Sequence, residues 1–442
     1  MTQYTNKQIW YIMAAAAAIL LITMGARQSV GLFVHPLHMS SGMSIADISL
    51  ALAIGQFVWG AVQPFYGAAA DKYGSRAVLY VGTALLFIGS VWAPYWQTTF
   101  GVTVTLGLLS TIGAGAGSFS VLIGAVSAQL PPEKRSFAGG FINAGGSMGQ
   151  FVYAPILQVL ISAFGWVFAM VAMGFSTLLS IPLIEVLCGQ RRKKVTAATA
   201  GAVAGTVAEG AVAEGAVAAG EAAEVTAAAK EKARGQAQHH ENTLTIKEQL
   251  KQALTNRSFI FLSAGFFTCG FHVAFLVTHL PGEVALCGLM PQVSANSLAF
   301  IGLFNIVGSL LAGWAGNRYR MKYILALVYG SRAVMIAAYL LAPKTELTFY
   351  IFSMALGMTW LATVPPTAGI VGKLFGTRYM AMLFGITLFS HQIGGFLGAY
   401  LGGLAVTYSG NYEWMWYADM ILGALAAVIN LPIKEDPVPK EI

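Results

Sequence analysis

Arg27, His272 and His391 are the side chains through which this sequence could do chemistry, because each is a charged or titratable group set inside a long apolar run. A guanidinium presents a rigid planar fork of donors and grips a carboxylate with two parallel hydrogen bonds, which an ammonium cannot match. In hydrocarbon it costs at least ~2.5 to 3.5 kcal/mol unless it faces water or a partner. An imidazole, with an ordinary pKa of about 6.5, can change charge between two aqueous compartments of different pH. Gln392 beside His391, with Gln56, Asn143, Tyr153, Asn305 and Trp360, would supply neutral polar groups and an aromatic wall to orient a small solute. Arg332 and Asp419 also lie in apolar runs, and the rule that buried charges are paired predicts a structural ion pair between them. No HExxH, GxSxG or Walker-type pattern is present and no nucleophile stands out beside a base, so the sequence does not read as an enzyme and implies no cofactor or metal. Cys188, Cys269 and Cys287 lack metal or redox spacing and read as small packing residues.

The runs that hold these residues are long enough to cross a bilayer. Of the 442 residues 57% are hydrophobic and 10% charged, and glycine reaches 50, against a norm of about 7%. Mean hydropathy is +0.68. Each spanning segment must satisfy its own backbone hydrogen bonds, so roughly 20 apolar residues become a helix. Twelve helices are predicted, at 9–34, 47–69, 77–94, 99–128, 137–162 and 165–187, then at 258–280, 296–316, 323–342, 347–372, 380–407 and 413–433. The first follows a single Lys7 and reads as a retained span rather than a leader. With both termini in the cytoplasm, only Lys344 of the 25 basic residues falls outside, and only Arg27 and Arg332 within spans. The net charge of +7 therefore reflects topology and calls for no nucleic acid.

Three segments follow: a six-helix bundle over 1–189, a linker over 190–257 and a second six-helix bundle over 258–442. The linker runs from Arg191 through a repeated VAEGA to the pair His239 and His240, too poor in large apolar residues to form a core. Its end, Thr243 to Leu254, spaces Leu244, Ile246, Leu250 and Leu254 as one face of a short amphipathic helix lying on the membrane surface.

The second half echoes the first. SLALAIGQFVWGAVQPFYGAAADKYGSR, from Ser49 to Arg76, is matched by SLAFIGLFNIVGSLLAGWAGNRYRMK, from Ser297 to Lys322, which sets Gly67, Asp71 and Lys72 opposite Gly313, Asn317 and Arg318. GARQSVGLFVHPL at Gly25 is matched by GFHVAFLVTHLP at Gly270, which sets Arg27 opposite His272. The segment GAAADKYGSR resembles the loop signature between the second and third spans of the major facilitator superfamily. SVGLFVHPL and PPEKRSFAGGFINAGGSMG, from Pro131 to Gly149, are similar to that superfamily's monocarboxylate and oxalate/formate branch. The branch places an acid and an arginine one turn apart in the eighth span, where this sequence has Asn305 and Ser309, so any carboxylate chemistry must use other groups.

The resemblance implies an all-α membrane protein of twelve helices in two pseudo-symmetric bundles, with spans 1, 4, 7 and 10 lining a central pathway. It implies that Gly67, Asp71, Lys72, Arg76 and Arg318 form an inner gate, Gly67 allowing close helix approach and Asp71 latching the inner side shut. Arg27, with His272 and His391 as substrate or proton-coupling sites and no acid among them, selects for an anion on Coulomb grounds. The expectation is a monomeric secondary transporter of a small mono- or dicarboxylate, proton-coupled, in a bacterial inner membrane with both termini cytoplasmic. The alternative is an exporter of a hydrophobic metabolite, siderophore-like compound or drug, with Arg27 serving an outer gate.

Overall fold

Hydrocarbon offers the backbone no partner but itself, and the apolar runs fold accordingly into helices. A computed structural model describes residues 6–127, 129–130, 132–189, 246–376 and 379–436. Eleven helical spans are long and apolar enough to cross a membrane. They are span 1 (Asn6–Ser41), span 2 (Ile45–Tyr73), span 3 (Ser75–Trp92), span 4 (Thr99–Ser127), span 5 (Pro132–Phe164), span 6 (Trp166–Gly189), span 7 (Arg257–Leu286), span 8 (Pro291–Gly316), span 9 (Met321–Leu341), span 10 (Glu346–Phe375) and span 11 (Met380–Ser409). The twelfth helix, span 12 (Glu413–Asn430), has the same form, but Glu413, Asp419 and Asn430 dilute its hydropathy. Spans 1–6 and 7–12 make two bundles of six. Of the predicted linker, residues 246–257 lie in the described residues and include the short helix Ile246–Thr255; residues 190–245, with His239 and His240, lie outside them.

The bundles meet along two seams, span 2 on span 11 and span 5 on span 8. In the second seam, a Cβ added to Gly302 would fall 2.7 Å from the Ser147 carbonyl oxygen, so the two backbones touch there. Contact between bundles is tightest on the face away from the chain termini. There the Ala46 amide donates to Thr407 Oγ1 at 3.1 Å, Gly31 abuts the Val277 carbonyl, and Gly403 abuts Ser49. Toward the termini the bundles part: Cβ atoms added to Gly67, Gly140, Gly313 or Gly385 would meet nothing within 4 Å. The expected close packing at Gly67 is thus absent, because in this conformation the face where it lies is open.

Several spans depart from a continuous α-helix, three of them beside a cavity between the bundles. Span 1 passes through a 3₁₀ turn at Val30–Phe33, and span 4 widens into a π-helical stretch at Thr103–Ser110, a form that often marks functional sites. Span 10 breaks between Thr359 and Val364, where Pro365 and Pro366 have no amide hydrogen to continue the ladder. The groups freed at the break are met by side chains. Arg332 of span 9 donates to the carbonyls of Thr359 and, at 2.8 Å, Trp360, and Asn305 of span 8 accepts from the Leu361 amide at 3.0 Å.

This accounting overturns the predicted Arg332–Asp419 ion pair. Arg332 turns its Nη2 to the C-terminal end of a half-helix, where partial negative charge collects, and Asp419 is bonded to His272 instead, Nδ1 to Oδ2 at 2.6 Å. Two predictions follow from the packing. With Cys188, Cys269 and Cys287 replaced, Ala46→Cys with Thr407→Cys should cross-link readily under mild oxidation, whereas Gly67→Cys with Gly385→Cys, on the same seam toward the termini, should not; the reverse pattern would refute a conformation closed away from the termini. Arg332→Met strips two carbonyls of their donor and should destabilise the protein by about 2 to 4 kcal/mol, read as a lowered Tm; an unchanged Tm would show that the break needs no such partner.

Candidate functional site

Between the bundles lies a cavity of ≈ 140 Å³. Its wall is largely apolar, built from Met24, Leu52, Trp59, Val273, Val277 and Trp360 among others, and no Asp or Glu occurs among its described lining residues. Arg27 and His391 are its two titratable groups. Arg27 projects from span 1 just before the 3₁₀ turn, donates to Gln56 Oε1, and stacks its guanidinium 4.0 Å from the centre of the Trp59 ring. A neutral amide and an aromatic face hold the cation in place without neutralising it, and its remaining donors are left for a solute.

Gln56 is itself held from the opposite bundle. Its Nε2 donates to Gln392 Oε1 at 3.3 Å, and each glutamine stem packs where the facing helix has no side chain, Gln56 on Gly395 and Gln392 on Gly60. The glycines are required because any Cβ would collide with the stem. The resulting chain, Arg27–Gln56–Gln392, crosses the seam between spans 2 and 11 and ties the cavity's cation to both bundles. His391, one residue from Gln392, is 6% exposed and lies against the Phe266 ring at 4.9 Å, with its Nδ1 unpartnered.

The other residues singled out from sequence divide between wall and scaffold. Trp360 stands at the break of span 10 and lines the cavity. His272 does not line it: it sits behind Trp360, ring centres 5.7 Å apart, bonded to Asp419. Asn305 is consumed structurally, donating to Ser147 Oγ at 2.8 Å across the seam and accepting from Leu361 and from Ser309 Oγ at 3.1 Å. Tyr153 turns away to Ser176, 2.9 Å between hydroxyls, and Asn143 is absent from the cavity lining. Tyr153 and Asn305 thus join helices in this conformation.

Among the described residues, the predicted gate is not assembled across the bundles in this conformation. Arg76 pairs with Glu185 of its own bundle at 2.6 Å, Lys72 lies over Tyr73, and Arg318 stacks 4.3 Å from the Trp314 ring centre. The Asp71 side chain falls outside the described residues.

Sequence reasoning missed several lining groups. Gln28, next to Arg27, lines the cavity with its Oε1 unpartnered, and its place in the first span was the available signal. Ser90, Ser110, Thr111 and Thr278 add hydroxyls to the wall; single hydroxyls in glycine-rich helices carry no readable pattern. Glu283 was also missed, because span 7 runs on past Pro281 to Leu286. It accepts from Tyr339 Oη at 2.7 Å beside a separate ≈ 490 Å³ pocket lined by Lys344, Tyr412 and Trp416. Burial lowers the pKa of the Lys344 ammonium, and the Glu283 carboxylate acts the other way.

Comparison with known proteins agrees with this architecture. The chain matches the Major Facilitator Superfamily over residues 16–399, with a second match over 297–442. It is 28% identical over 172 residues to an uncharacterized MFS-type transporter of Bacillus subtilis (strain 168), a match spanning 38% of this chain and 42% of the relative's length. It is 23% identical to monocarboxylate transporter 13 of Rattus norvegicus, over 74% of this chain and 67% of the relative, and 22% identical to monocarboxylate transporter 12 of Xenopus laevis, over 76% and 70%. The crystal structure of a D-xylose–proton symporter superposes with a TM-score of 0.69 at 14% identity, covering 98% of each chain. The inward-open conformation of the xylose transporter XylE from E. coli superposes at 0.67 and 13%, covering 96% of each. The two six-helix bundles, their echoing sequences and the profile match place this chain in the Major Facilitator Superfamily, a family of membrane transporters.

Proposed function

We propose that the protein is a secondary transporter of a small organic anion, coupled to protons and working by alternating access as the two bundles rock about the central cavity. The observation that carries this reading is Arg27, a cation facing an acid-free chamber with only a neutral amide and an indole face for company. In a water-poor cavity one uncompensated charge outweighs most other contacts in choosing the sign of a solute. A single cation in an apolar wall suits a monocarboxylate with an apolar tail; a dicarboxylate would press its second charge against residues such as Leu52 and Val273. The names of the relatives at 22% and 23% identity point the same way.

Closure away from the termini and opening toward them correspond to an inward-facing state if the termini are cytoplasmic. Clustering of Arg320, Lys322, Lys373 and Lys434 about the C-terminal end supports that orientation, in a bacterial inner membrane. The cavity can serve a single chain without a partner copy. The apolar wall also favours the second reading, export of a hydrophobic compound, in which Arg27 would only brace the closed face.

A thermal-shift screen of purified protein separates the two. Benzoate, pyruvate, lactate, oxalate and succinate would be tested beside neutral hydrophobic compounds, on wild type and Arg27→Ala. A ligand at 100 times its Kd stabilises the native state by about 2.7 kcal/mol. The anion reading expects a monocarboxylate to raise Tm in wild type and lose its effect in Arg27→Ala. Stabilisation by neutral compounds alone, retained in Arg27→Ala, would establish the exporter.

A further inference from the structure

The His272–Asp419 pair is the most deeply buried ionisable couple among the described ion pairs, each residue 1% exposed. Such a pair is a poor structural fastener, since desolvation of two charges commonly cancels their attraction. Each partner also keeps an unsatisfied atom: His272 Nε2 and Asp419 Oδ1 have no hydrogen-bond partner. With Nδ1 committed to Asp419 Oδ2 at 2.6 Å, Nε2 is the free lone pair at which a proton can add.

The charges around the pair leave that proton with work to do. From span 12 comes Asp419 itself, and from span 10 the Trp360 ring. From span 9 comes Arg332, whose Nη2 donates to the Thr359 and Trp360 carbonyls at the negative end of a half-helix while its Nε and Nη1 have no hydrogen-bond partner. From span 11 comes His391, which lies against Cys269, one turn before His272 on span 7. Asp419 therefore has His272 as its direct ionic partner. With His272 neutral the couple carries one net negative charge in an apolar site; with His272 protonated it is a closed imidazolium–carboxylate pair.

We propose that the His272–Asp419 pair is the transporter's proton-binding site, set behind Trp360 and separate from the solute cavity. The proton adds to Nε2, the Nδ1 hydrogen bond to Asp419 is kept, and no other bond changes. Trp360 carries the coupling. Trp360 lines the cavity, its ring also meets His272 edge-on with centres 5.7 Å apart, and its backbone lies in the break of span 10. A cationic imidazolium attracts the indole ring and pins it, and loss of the proton releases it. Solute and proton thus act on one hinge residue without touching each other. The site deepens the proton-coupled reading above, yet it can be tested with no carboxylate present.

The probe is the proton alone. Proteoliposomes adsorbed on a solid-supported membrane are jumped from pH 7.5 to pH 5.5, and the transient charge displacement is recorded. Wild type should give a saturable transient. His272→Gln, Asp419→Asn and the double variant, in which two neutral amides can hydrogen-bond in place of the charged couple, should reduce it at least tenfold, while His391→Gln should keep it. The double variant covers misfolding of either single one, and size-exclusion profiles confirm folded protein. A wild-type transient that survives in the folded double variant, one that disappears with His391→Gln alone, or no wild-type transient at all would overturn the assignment. Because no carboxylate enters the measurement, failure of the anion reading leaves its result intact.

Discussion

A guanidinium in the middle of a membrane must find acceptors, and at Arg27 the protein supplies a neutral amide where a carboxylate would have been the stronger partner. The rest of the site depends on that choice. A carboxylate at Gln56 would close an ion pair and leave nothing to draw a solute; the amide orients the side chain while leaving its charge free to act. Trp59 contributes the apolar counterpart, offering the negative face of its ring at 4.0 Å. The glutamine is fixed in turn by Gln392 and by the glycine notches opposite both, so the seam between the bundles and the cation in the cavity form one mechanical unit.

The second organising constraint is the backbone itself. Span 10 is interrupted by two prolines, and an interruption in a membrane is tolerated only where side chains take over the hydrogen bonds that are lost. Arg332 covers the carbonyl side and Asn305 the amide side. These two residues look like ligand-binding or ion-pairing candidates until the break is seen, and then their roles follow. The break also frees Trp360 to stand between the cavity and the His272–Asp419 couple, which joins the hinge to both ends of the coupling scheme.

Much of this was legible in the sequence. The twelve spans follow from apolar run length, and the doubling follows from the match of Ser49–Arg76 with Ser297–Lys322. Arg27, Gln56, Trp360 and His391 could be picked out as rare polar or aromatic groups in apolar helices, and all four meet at the cavity. What could not be read was which way each polar group turns. Tyr153, Asn305 and His272 occupy similar depths in similar helices, yet each finds a nearer partner in Ser176, Ser147 and Asp419. Arg332 was paired with Asp419 on charge alone, because a broken helix end leaves no charge symbol in the sequence to compete for it. Glu283 escaped notice for a related reason, since Pro281 reads as a terminator although span 7 continues through it.

The proposed selectivity rests on the charge of Arg27, which no carboxylate among the described cavity-lining residues neutralises. Isothermal titration of the best-binding monocarboxylate into Gln56→Glu and Gln56→Leu tests it most directly. Gln56→Glu, which places an acid against Arg27, should weaken binding at least tenfold, about 1.4 kcal/mol, and more than Gln56→Leu, which removes the orienting amide without adding a charge. Equal affinity in Gln56→Glu and wild type would contradict it, showing that the guanidinium's free charge does not select the solute.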